Sequence, residues 1–370
     1  MNKKKKILAV YGTRPEAIKM APLVKVLKEN DEFVCKVCVT AQHRSLLDEV
    51  NSLFEIIPDF DLEIYGNTNS ITQTLSQIID KMQAVLARFK PDIVLVHGDT
   101  TSTLAGALAA FYADIKIGHV EAGLRTNDTK SPWPEEGNRQ LVSRIADFHF
   151  TPTQTGRKNL LTEGIPDEKI FICGNTVIDA LLHVTRSDLQ LPDLYNYAMQ
   201  GHCKVLVTCH RRENFGKGII SVCRAIKELA ITHPDWHFIF SVHPNPNVKN
   251  TINTELTNIE NVFLFESIPY QNFSKIMARC DLIITDSGGI QEEAPSLGKP
   301  VLVLRDKTER PEAVAANTVK VIGTNSNTIV DEVIALMTDK SRYIAMSEAS
   351  NPYGDGTACL QIKNILLEKL

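Results

Sequence analysis

Short apolar runs alternate with helix-like segments along most of this chain, and that alternation constrains the fold more than any other feature. The runs are rich in valine and isoleucine, which is typical of parallel strands that are buried on both faces. Parallel strands need a crossover connection, usually a helix, so the pattern predicts doubly wound parallel sheets. The runs predicted as strands are Ile7 to Tyr11, Phe33 to Thr40, Asp92 to Val96, Ile115 to Val120, Lys204 to Thr208, His237 to Val242, Val262 to Phe265, Leu282 to Thr285, Val301 to Leu304 and Val319 to Ile322.

The length of the chain predicts two such α/β domains. A chain of 370 residues is long enough to bury two cores. We place the connection between the two series of strands from Gly174 into a helix at Val177 to Val184. The polar segment Arg186 to His202 shows no clear buried element, and Ala358 to Leu370 is predicted as a final helix with no strand after it.

Composition and charge exclude several classes of function. A hydrophobic content of 43% with 23% charged residues is typical of a soluble globular protein, and a net charge of −4 argues against a general nucleic-acid or anionic-membrane surface. No run approaches the roughly 20 apolar residues of a membrane span. The eight cysteines show no disulfide or zinc spacing, since Cys35 and Cys38 lie in a predicted strand and point to opposite faces. We therefore expect a reducing cytoplasm and no bound metal.

The segment around residues 281–300 carries the most specific binding signal. A strand at Leu282 to Thr285 runs into Ser287-Gly288-Gly289, and a helix is predicted from Ile290 to Leu297. Small residues let the backbone approach a ligand closely, and a helix N-terminus favours an anion. Glu293, further along the helix, suits sugar hydroxyls, so a phosphate with an attached ribose fits the pattern. An ordinary tight turn before a capped helix is the alternative interpretation.

Polar residues of the N-terminal half stand where predicted strands end, namely Arg14, Gln42, Asp99 and Glu121. Ligands of doubly wound sheets bind beyond the carboxyl ends of the strands, so these side chains are predicted to contact a ligand. Three of them also have a structural alternative. Asp99 or Thr100 could simply cap the alanine-rich helix, Arg14 could be a solvated helix start, and Glu121 could form a structural pair with His119.

Six motifs follow one another between Ile7 and the final helix. They are Gly12-Thr-Arg-Pro-Glu-Ala-Ile-Lys-Met-Ala-Pro22, His97-Gly-Asp-Thr100, His119-Val-Glu-Ala-Gly-Leu-Arg125, Pro132-Trp-Pro-Glu-Glu136, His210-Arg-Arg-Glu213 and the stretch from Asp281 to Pro300. With these motifs the chain closely resembles the non-hydrolysing UDP-N-acetylglucosamine 2-epimerases of bacteria.

The resemblance implies a GT-B-like fold of two Rossmann-like domains with an active site in the cleft between them. It implies that the C-terminal helix returns to the first domain, so that residues 1–174 with 353–370 form the N-terminal domain and residues 175–352 the UDP-binding domain. It further implies a cytoplasmic homodimer with no redox or metal cofactor and no nucleic-acid or membrane partner. The implied reaction interconverts UDP-N-acetylglucosamine and UDP-N-acetylmannosamine for surface-polysaccharide synthesis.

The chemistry of such a sugar favours elimination. The C2 proton is not next to a carbonyl, so enolisation cannot invert that carbon, and Gly12 does not begin the GxGxxG fingerprint that hydride chemistry would need. Anti elimination of UDP to 2-acetamidoglucal, followed by re-addition with a proton delivered to the opposite face, remains. This route needs a diphosphate site and acid–base groups around the sugar.

The resemblance assigns the substrate contacts to positions of this chain. Glu293 matches a ribose-binding carboxylate, and Phe273 matches a uracil contact, although its spacing from Ile276 and Met277 is equally that of a core residue. Arg14 and Lys19 oppose the helix dipole at the start of a helix, which favours a nearby phosphate. The predicted UDP-sugar contacts are Arg14, Lys19, Phe273, Ser287, Gly288, Gly289, Glu293 and Arg310.

Asp99, Glu121, Glu135 and His210 match the family's catalytic positions. In our working hypothesis Asp99 and Glu135 transfer protons, Glu121 stabilises an oxocarbenium-like sugar, and His210 contacts the departing diphosphate. Glu135 could instead compensate the dipole of the helix that follows it. Which carboxylate serves which face of the sugar stays open.

A second, activating UDP-N-acetylglucosamine site occurs in some bacterial members. Gln42, His43, Arg212 and His243 match positions linked with that site. Ser45 stands where the regulated members have a glutamine, so allosteric activation stays open for this chain.

Three other functions compete with epimerisation. A GT-B glycosyltransferase would use the same UDP contacts, but the sequence shows no acceptor surface. A hydrolysing epimerase would release free N-acetylmannosamine, and the motif match favours the non-hydrolysing type. A nucleotide-sugar sensor would not need the three carboxylates.

Overall fold

The structure, a computed structural model, describes residues 4–41, 44–64 and 70–370, and of residues 44–46 only the backbone. Its chain forms two compact units. The N-terminal unit contains Met1–Ala180 and Tyr353–Leu370, and the C-terminal unit contains Leu181–Pro352.

Strands and helices alternate through nearly the whole of the described chain. The strands are β1 (Lys5–Tyr11), β2 (Phe33–Val39), β3 (Phe60–Asp61), β4 (Ile93–His97), β5 (Lys116–Val120), β6 (Phe148–Thr151), β7 (Ile170–Ile172), β8 (Cys203–Thr208), β9 (Trp236–Val242), β10 (Val262–Glu266), β11 (Leu282–Thr285), β12 (Val301–Val303) and β13 (Val319–Val321). The helices are α1 (Arg14–Lys28), α2 (Arg44–Leu53), α3 (Ile71–Phe89), α4 (Thr101–Tyr112), α5 (Glu135–Ile145), α6 (Gln154–Thr162), α7 (Thr176–Arg186), α8 (Asp193–Ala198), α9 (Lys217–Thr232), α10 (Pro246–Leu256), α11 (Tyr270–Arg279), α12 (Gly288–Glu293), α13 (Pro311–Ala315), α14 (Ser326–Thr338), α15 (Lys340–Ser347) and α16 (Ala358–Lys369).

The N-terminal unit is built on one parallel sheet. Within the described residues its strands follow the order β3-β2-β1-β4-β5-β6-β7, and each neighbouring pair is parallel. The apolar side chains Leu8, Val10, Val94 and Val96 of the two central strands pack against α3 and α4. Helix α16, at the end of the chain, packs against α1.

The C-terminal unit repeats this architecture with different residues. Its described strands follow the order β10-β9-β8-β11-β12-β13 and are again parallel. Val205 and Val207 of β8 lie in one buried cluster with Ile226 of α9 and Val333 of α14. The prediction of two doubly wound parallel sheets is therefore confirmed.

Each sheet has one point at which the order of its strands reverses. In the N-terminal unit this point lies between β1 and β4, and in the C-terminal unit it lies between β8 and β11. The loops that leave two such strands run to opposite faces of the sheet, which opens a crevice beyond their carboxyl ends. The residues that follow these four strands are therefore placed to bind a ligand.

Two predicted segments differ from the structure in detail. The helix expected from Ile290 to Leu297 begins earlier, as α12, and continues from Ala294 as a 3-10 helix. Pro295 has no N–H and cannot make the α-helical hydrogen bond, so the last turn tightens. The segment without a clear buried element contains α8, which follows Pro192 and buries Ala198.

Several simple kinds of site are absent from the described part of the chain. No helix there is both long enough and apolar enough to cross a bilayer. Its histidine, cysteine and carboxylate side chains form no group of three placed to hold a metal ion. All eight cysteines are unpaired and buried.

Candidate active site

Glu16 ties together the turns that follow β1 and β4 in the N-terminal unit. One carboxylate oxygen accepts the backbone N–H groups of Gly12 and Thr13, at 3.1 and 2.8 Å. The other accepts the hydroxyls of Thr100 and Thr103, at 2.7 and 3.0 Å. Burial raises the pKa of Glu16 in spite of these bonds. The two loops at the reversal point of the sheet are thus joined by one buried side chain.

The turn that carries Arg14 packs closely against the side chains of Thr40 and Ser102. A Cβ atom on Gly12 would lie 1.9 Å from the hydroxyl oxygen of Thr40 and 2.3 Å from that of Ser102, so only glycine fits. Arg14 begins α1, and its buried Nε has no hydrogen-bond partner among the described residues. A buried guanidinium nitrogen without an acceptor is expected to meet an anionic ligand.

Glu121 follows β5 in a left-handed conformation with φ of 60°. Its Oε2 forms an ion pair with Nζ of Lys19 and accepts a hydrogen bond from Nδ2 of Asn175 at 2.9 Å. Nε2 of His97 lies 3.7 Å from the same oxygen. Burial lowers the pKa of His97 to about 4, so this imidazole is neutral at pH 7. The structure thus brings the predicted residues Lys19 and Glu121 together.

Asp99 lies directly beyond β4 and is held by α5. Nε of Arg139 donates to its Oδ2 at 3.0 Å, and a second guanidinium nitrogen contacts the same oxygen. Nδ2 of Asn138 donates to its backbone carbonyl at 2.9 Å. Burial raises the pKa of Asp99, and the charge of Arg139 opposes that rise. The hydroxyl of Thr100 caps α4, so the capping alternative is confirmed for Thr100 and wrong for Asp99.

Two adjacent glutamates at the start of α5 lie in different surroundings. Glu136 is fully buried and accepts the backbone N–H groups of Thr126 and Asn127 and the side chain of Gln140. Glu135 is half-buried and accepts no hydrogen bond from a described residue. Glu136 therefore has a structural role, and Glu135 is the one available to a ligand.

Two arginines flank the Ser287-Gly288-Gly289 turn of the C-terminal unit. A Cβ atom on Gly288 would lie 3.5 Å from Nη2 of Arg211 and 3.7 Å from Nη2 of Arg310. Nε of Arg310 donates to the buried Glu292 at 2.5 Å, which fixes the guanidinium beside the turn. Positive charge over a glycine backbone favours a phosphate group. The short helix α12 contributes little dipole, so the arginines replace most of the helix effect expected from the sequence.

His210, beyond β8, contacts the carboxylate of Asp286, beyond β11. Its backbone N–H donates to Oδ2 of Asp286 at 2.9 Å, and its Nδ1 lies 3.4 Å from Oδ1. The imidazole of His243 stacks on that of His210, with ring centres 5.5 Å apart. Burial lowers the pKa of His210, whereas Asp286 raises it.

Helix α11 carries Phe273 and contacts Glu293 of α12 through Tyr270. The hydroxyl of Tyr270, in α11, donates to Oε1 of Glu293 at 3.1 Å. Glu293 is buried, and Phe273 is partly exposed, whereas Ile276 and Met277 of the same helix are fully buried. Phe273 therefore differs from the core residues with which it shares a helical spacing.

Of the four residues predicted for a second site, the structure describes two. Gln42 and His43 lie outside the described residues. Arg212 begins a 3-10 turn and is exposed. His243 is exposed and contacts His210, so one residue of this set lies beside a predicted catalytic residue.

Sequence reasoning missed the residues that hold these side chains in place, chiefly Arg139, Asn175, Asp286 and Glu292. Arg139 carried a signal, because it lies one helical turn after Glu135 and Glu136 and therefore on the same face of the helix. Asn175 and Asp286 carried none, since their partners are 54 and 76 residues away along the chain.

Comparison with known proteins identifies the family. The model of the UDP-N-acetylglucosamine 2-epimerase family matches residues 25–367. The chain is 54% identical to a UDP-N-acetylglucosamine 2-epimerase of Escherichia coli K12 over 368 residues, which are 98% of each chain. The chain belongs to the UDP-N-acetylglucosamine 2-epimerase family.

Solved structures of similar proteins carry nucleotide ligands. This epimerase-family chain resembles the Neisseria meningitidis UDP-GlcNAc 2-epimerase bound to UDP-GlcNAc, with 48% identity, a TM-score of 0.87 and coverage of 98% and 100% of the two chains. It also resembles S. aureus MnaA in a co-structure with UDP, with 45% identity, a TM-score of 0.88 and coverage of 98% and 96%. The family resemblance expected from the six motifs is confirmed.

Proposed function

We propose that this protein is a non-hydrolysing UDP-N-acetylglucosamine 2-epimerase, an isomerase that interconverts UDP-N-acetylglucosamine and UDP-N-acetylmannosamine. The observation that carries the proposal is the pairing of two acids with two cations beyond β4 and β5. Asp99 is held by Arg139, and Glu121 is held by Lys19. Carboxylates fixed in this way supply proton transfer and charge stabilisation without further reorganisation.

The proposed reaction begins with an anti elimination. A carboxylate removes the C2 proton, the C1–O bond breaks with its electron pair going to UDP, and 2-acetamidoglucal forms. Re-addition of UDP at C1, with a proton delivered to C2 on the opposite face, gives the epimer. We assign proton transfer to Asp99 and Glu135 and stabilisation of positive charge at C1 to Glu121.

The C-terminal unit contributes the binding of UDP in this proposal. Arg310 and the turn at Ser287, Gly288 and Gly289 contact the diphosphate, and His210 contacts it as it departs. Glu293 binds the ribose and Phe273 the uracil. Two arginines beside Gly288 and a fixed carboxylate at Glu293 support these assignments.

Arg14 completes the proposed set of phosphate contacts. Its buried Nε has no acceptor among the described residues, which supports an anionic ligand at that position. Lys19, five residues further along α1, forms an ion pair with Glu121. We propose that both cations act on the same substrate as the acids.

The assembly and cellular context belong to the same proposal. We propose a cytoplasmic homodimer that supplies surface-polysaccharide synthesis, with domains at residues 1–174 plus 353–370 and at 175–352. A second UDP-N-acetylglucosamine site that includes Arg212 and His243 stays a prediction.

Proton NMR in deuterated water tests the reaction. Incubation with UDP-N-acetylglucosamine and no acceptor is expected to give UDP-N-acetylmannosamine with deuterium at C2. Release of free N-acetylmannosamine would instead indicate a hydrolysing enzyme. Binding without conversion would indicate a sensor, and product only with an added acceptor would indicate a glycosyltransferase.

The variant Asp99→Asn tests the assignment of proton transfer. It is expected to abolish exchange of the C2 hydrogen with solvent while binding of the UDP-sugar stays measurable, because Arg139 can still donate to the amide oxygen and Asn138 to the backbone carbonyl of residue 99. Retained exchange at the wild-type rate would refute the role of Asp99.

A further inference from the structure

The two carboxylate oxygens of Asp286 differ in their hydrogen bonding to the described residues. The residue is fully buried at the end of β11. Oδ2 accepts three donors, namely the backbone N–H groups of His210 and Arg211 and Nδ2 of Asn214, at 2.9, 2.8 and 2.9 Å. Oδ1 is buried and has no hydrogen-bond partner among the described residues. The nearest ionisable nitrogen is Nδ1 of His210, at 3.4 Å.

We propose that Asp286 is a positioning residue for His210. Its Oδ1 accepts the Nδ1–H of the imidazole, fixes the ring with Nε2 on the ligand side, and stabilises the imidazolium when an anionic diphosphate lies at Nε2. The identity of that ligand rests on the proposed function, whereas the pairing of Asp286 with His210 does not.

The hydrogen-bonding capacity of the two groups fixes the tautomer. An ionised carboxylate only accepts hydrogen bonds, and a neutral imidazole carries one N–H. A proton on Nδ1 therefore satisfies Oδ1, and a proton on Nε2 would leave two buried acceptors facing each other. The side chain of His210 is 34% exposed, so Nε2, across the ring from Asp286, remains accessible.

A purely structural role does not account for Oδ1. The N–H donors of the turn after β8 that bond the Asp286 carboxylate, namely His210, Arg211 and Asn214, all end on Oδ2. The other close neighbour is the thiol of Cys209, which stays protonated because burial and Asp286 raise its pKa. A buried carboxylate oxygen without a partner costs free energy, and it persists where another role requires it. The position of Nδ1 beside Oδ1 supplies that role.

The charges around His210 make its protonation depend on the ligand. Burial lowers its pKa, and the neighbouring His243 and Arg211 lower it further, whereas Asp286 raises it. We expect a neutral imidazole without ligand. A diphosphate at Nε2 adds a second negative neighbour and favours the charged form, in which both ring nitrogens donate.

The variant Asp286→Asn tests the role of Oδ1 separately from that of Oδ2. The amide oxygen can still accept the three donors at the Oδ2 position, while the NH2 group faces Nδ1 and forces the proton onto Nε2. Asp281→Asn is the matched control, because Asp281 lies at the other end of β11 and accepts the backbone N–H of Lys204 at 2.8 Å, far from His210 along the strand.

Nitrogen NMR of protein with ¹⁵N-labelled histidine reads the tautomer directly, with His210→Gln to assign the signal. The wild type and Asp281→Asn are expected to carry the proton on Nδ1 without ligand and on both nitrogens with saturating UDP. Asp286→Asn is expected to carry it on Nε2 in both states. A proton on Nε2 in the unliganded wild type would overturn the proposal, even if the variant failed to fold.

Epimerisation kinetics test the consequence for the reaction. Because the same exchange in a Ser-His-Asp triad lowers kcat about 10⁴-fold, we expect a loss of at least about 10²-fold for Asp286→Asn and less than about twofold for Asp281→Asn. A changed tautomer with an unchanged rate would also overturn the positioning role. If the wild type does not epimerise, the proposed function fails, and the tautomer measurement still decides the pairing.

Discussion

Arg139 holds Asp99 through two guanidinium nitrogens that meet on one carboxylate oxygen, Oδ2. No described residue donates a hydrogen bond to the other oxygen, Oδ1. Burial raises the pKa of Asp99, and the charge of Arg139 is the largest effect that opposes the rise. Among its charged neighbours, Arg139 therefore has the largest effect on the pKa of the residue that we assign to proton transfer.

Removal of that charge gives the first prediction. In Arg139→Gln the largest effect that opposes burial is lost and only the weaker effect of Lys19 remains, so the pKa of Asp99 is expected to rise further. The limb of the pH–rate profile that Asp99 controls should therefore move to higher pH. Arg144→Gln is the matched control, since Arg144 lies on the same helix, is exposed and donates to the carbonyl of Glu163. Identical profiles for both variants and the wild type would contradict the prediction.

The sequence predicted the fold because parallel strands carry their own signal. A run such as Leu282 to Thr285 is apolar on both faces, and the turn residues after it are small or polar, so the strand, its end and the ligand side of the sheet follow together. The ends of elements were less certain. Pro295 divides one predicted helix into an α-helical and a 3-10 part, which is a local steric effect that a periodic pattern does not contain.

The supporting contacts of the site were not predictable in the same way. Asp99 and Glu135 stand in motifs, but the pairing of Asp99 with Arg139 depends on how α5 packs beside β4. In the sequence, Asp286 is an ordinary residue after a strand. Its contact with His210 follows only from the pairing of β8 with β11. Sequence order does not reveal which strands adjoin, so residues whose role is to hold another side chain appear only in the structure.

Gly12 provides a prediction about stability. In Gly12→Ala the new Cβ would overlap the hydroxyl oxygens of Thr40 and Ser102, at 1.9 and 2.3 Å. Overpacking of a buried site typically costs about 1–3 kcal/mol, and we expect a loss of that size in the free energy of unfolding. Urea unfolding at pH 7 measures it.

Gly137→Ala is the matched control for Gly12→Ala. Gly137 lies within α5, and a Cβ there would meet no atom within 4 Å. Alanine is the better helix former, so this variant is expected to gain about 0.5–1 kcal/mol. If the two variants were equally stable, the close contact of Gly12 with Thr40 and Ser102 would not explain why residue 12 is a glycine.

Three buried histidines of the N-terminal unit predict a loss of stability in acid. Burial lowers the pKa to about 4 for His97, about 3 for His119 and about 3 for His149, from an ordinary value of 6.5. The unfolded chain therefore binds more protons than the folded chain below pH 6.5. The contribution of these histidines to the free energy of unfolding is fully present above pH 6.5. About 2 kcal/mol per histidine is lost by pH 5.

His149→Leu tests this effect at a single position. Both ring nitrogens of His149 are buried, and its interaction with the backbone of Ala146 is the smallest of the named effects on its pKa, so leucine removes a titrating group at little cost in hydrogen bonding. The difference in unfolding free energy between pH 7 and pH 5 is expected to be about 2 kcal/mol smaller in the variant than in the wild type. Equal differences would show that His149 is already protonated, or accessible, in the folded protein.

Arg310 provides the prediction about binding. Its guanidinium lies beside Gly288 and is fixed by Glu292, at 2.5 Å, so it presents a charge to a phosphate with little loss of side-chain freedom. Because a hydrogen bond to a charged group contributes about 1.5–3 kcal/mol, Arg310→Gln is expected to raise the Kd for UDP by about 10- to 100-fold. Isothermal titration calorimetry measures it, and Arg279→Gln, an exposed arginine of α11, is the control.

A second substitution distinguishes the effect of Arg310 on UDP binding from its effect on stability. Arg310→Gln leaves Glu292 buried without its cation, which lowers stability by a route unrelated to UDP. Arg310→Lys keeps a positive charge for Glu292 but cannot make two parallel hydrogen bonds to a phosphate. We expect it to unfold close to the wild type and to bind UDP more weakly than the wild type. Affinity equal to the wild type in both variants would show that the guanidinium beside Gly288 serves only Glu292.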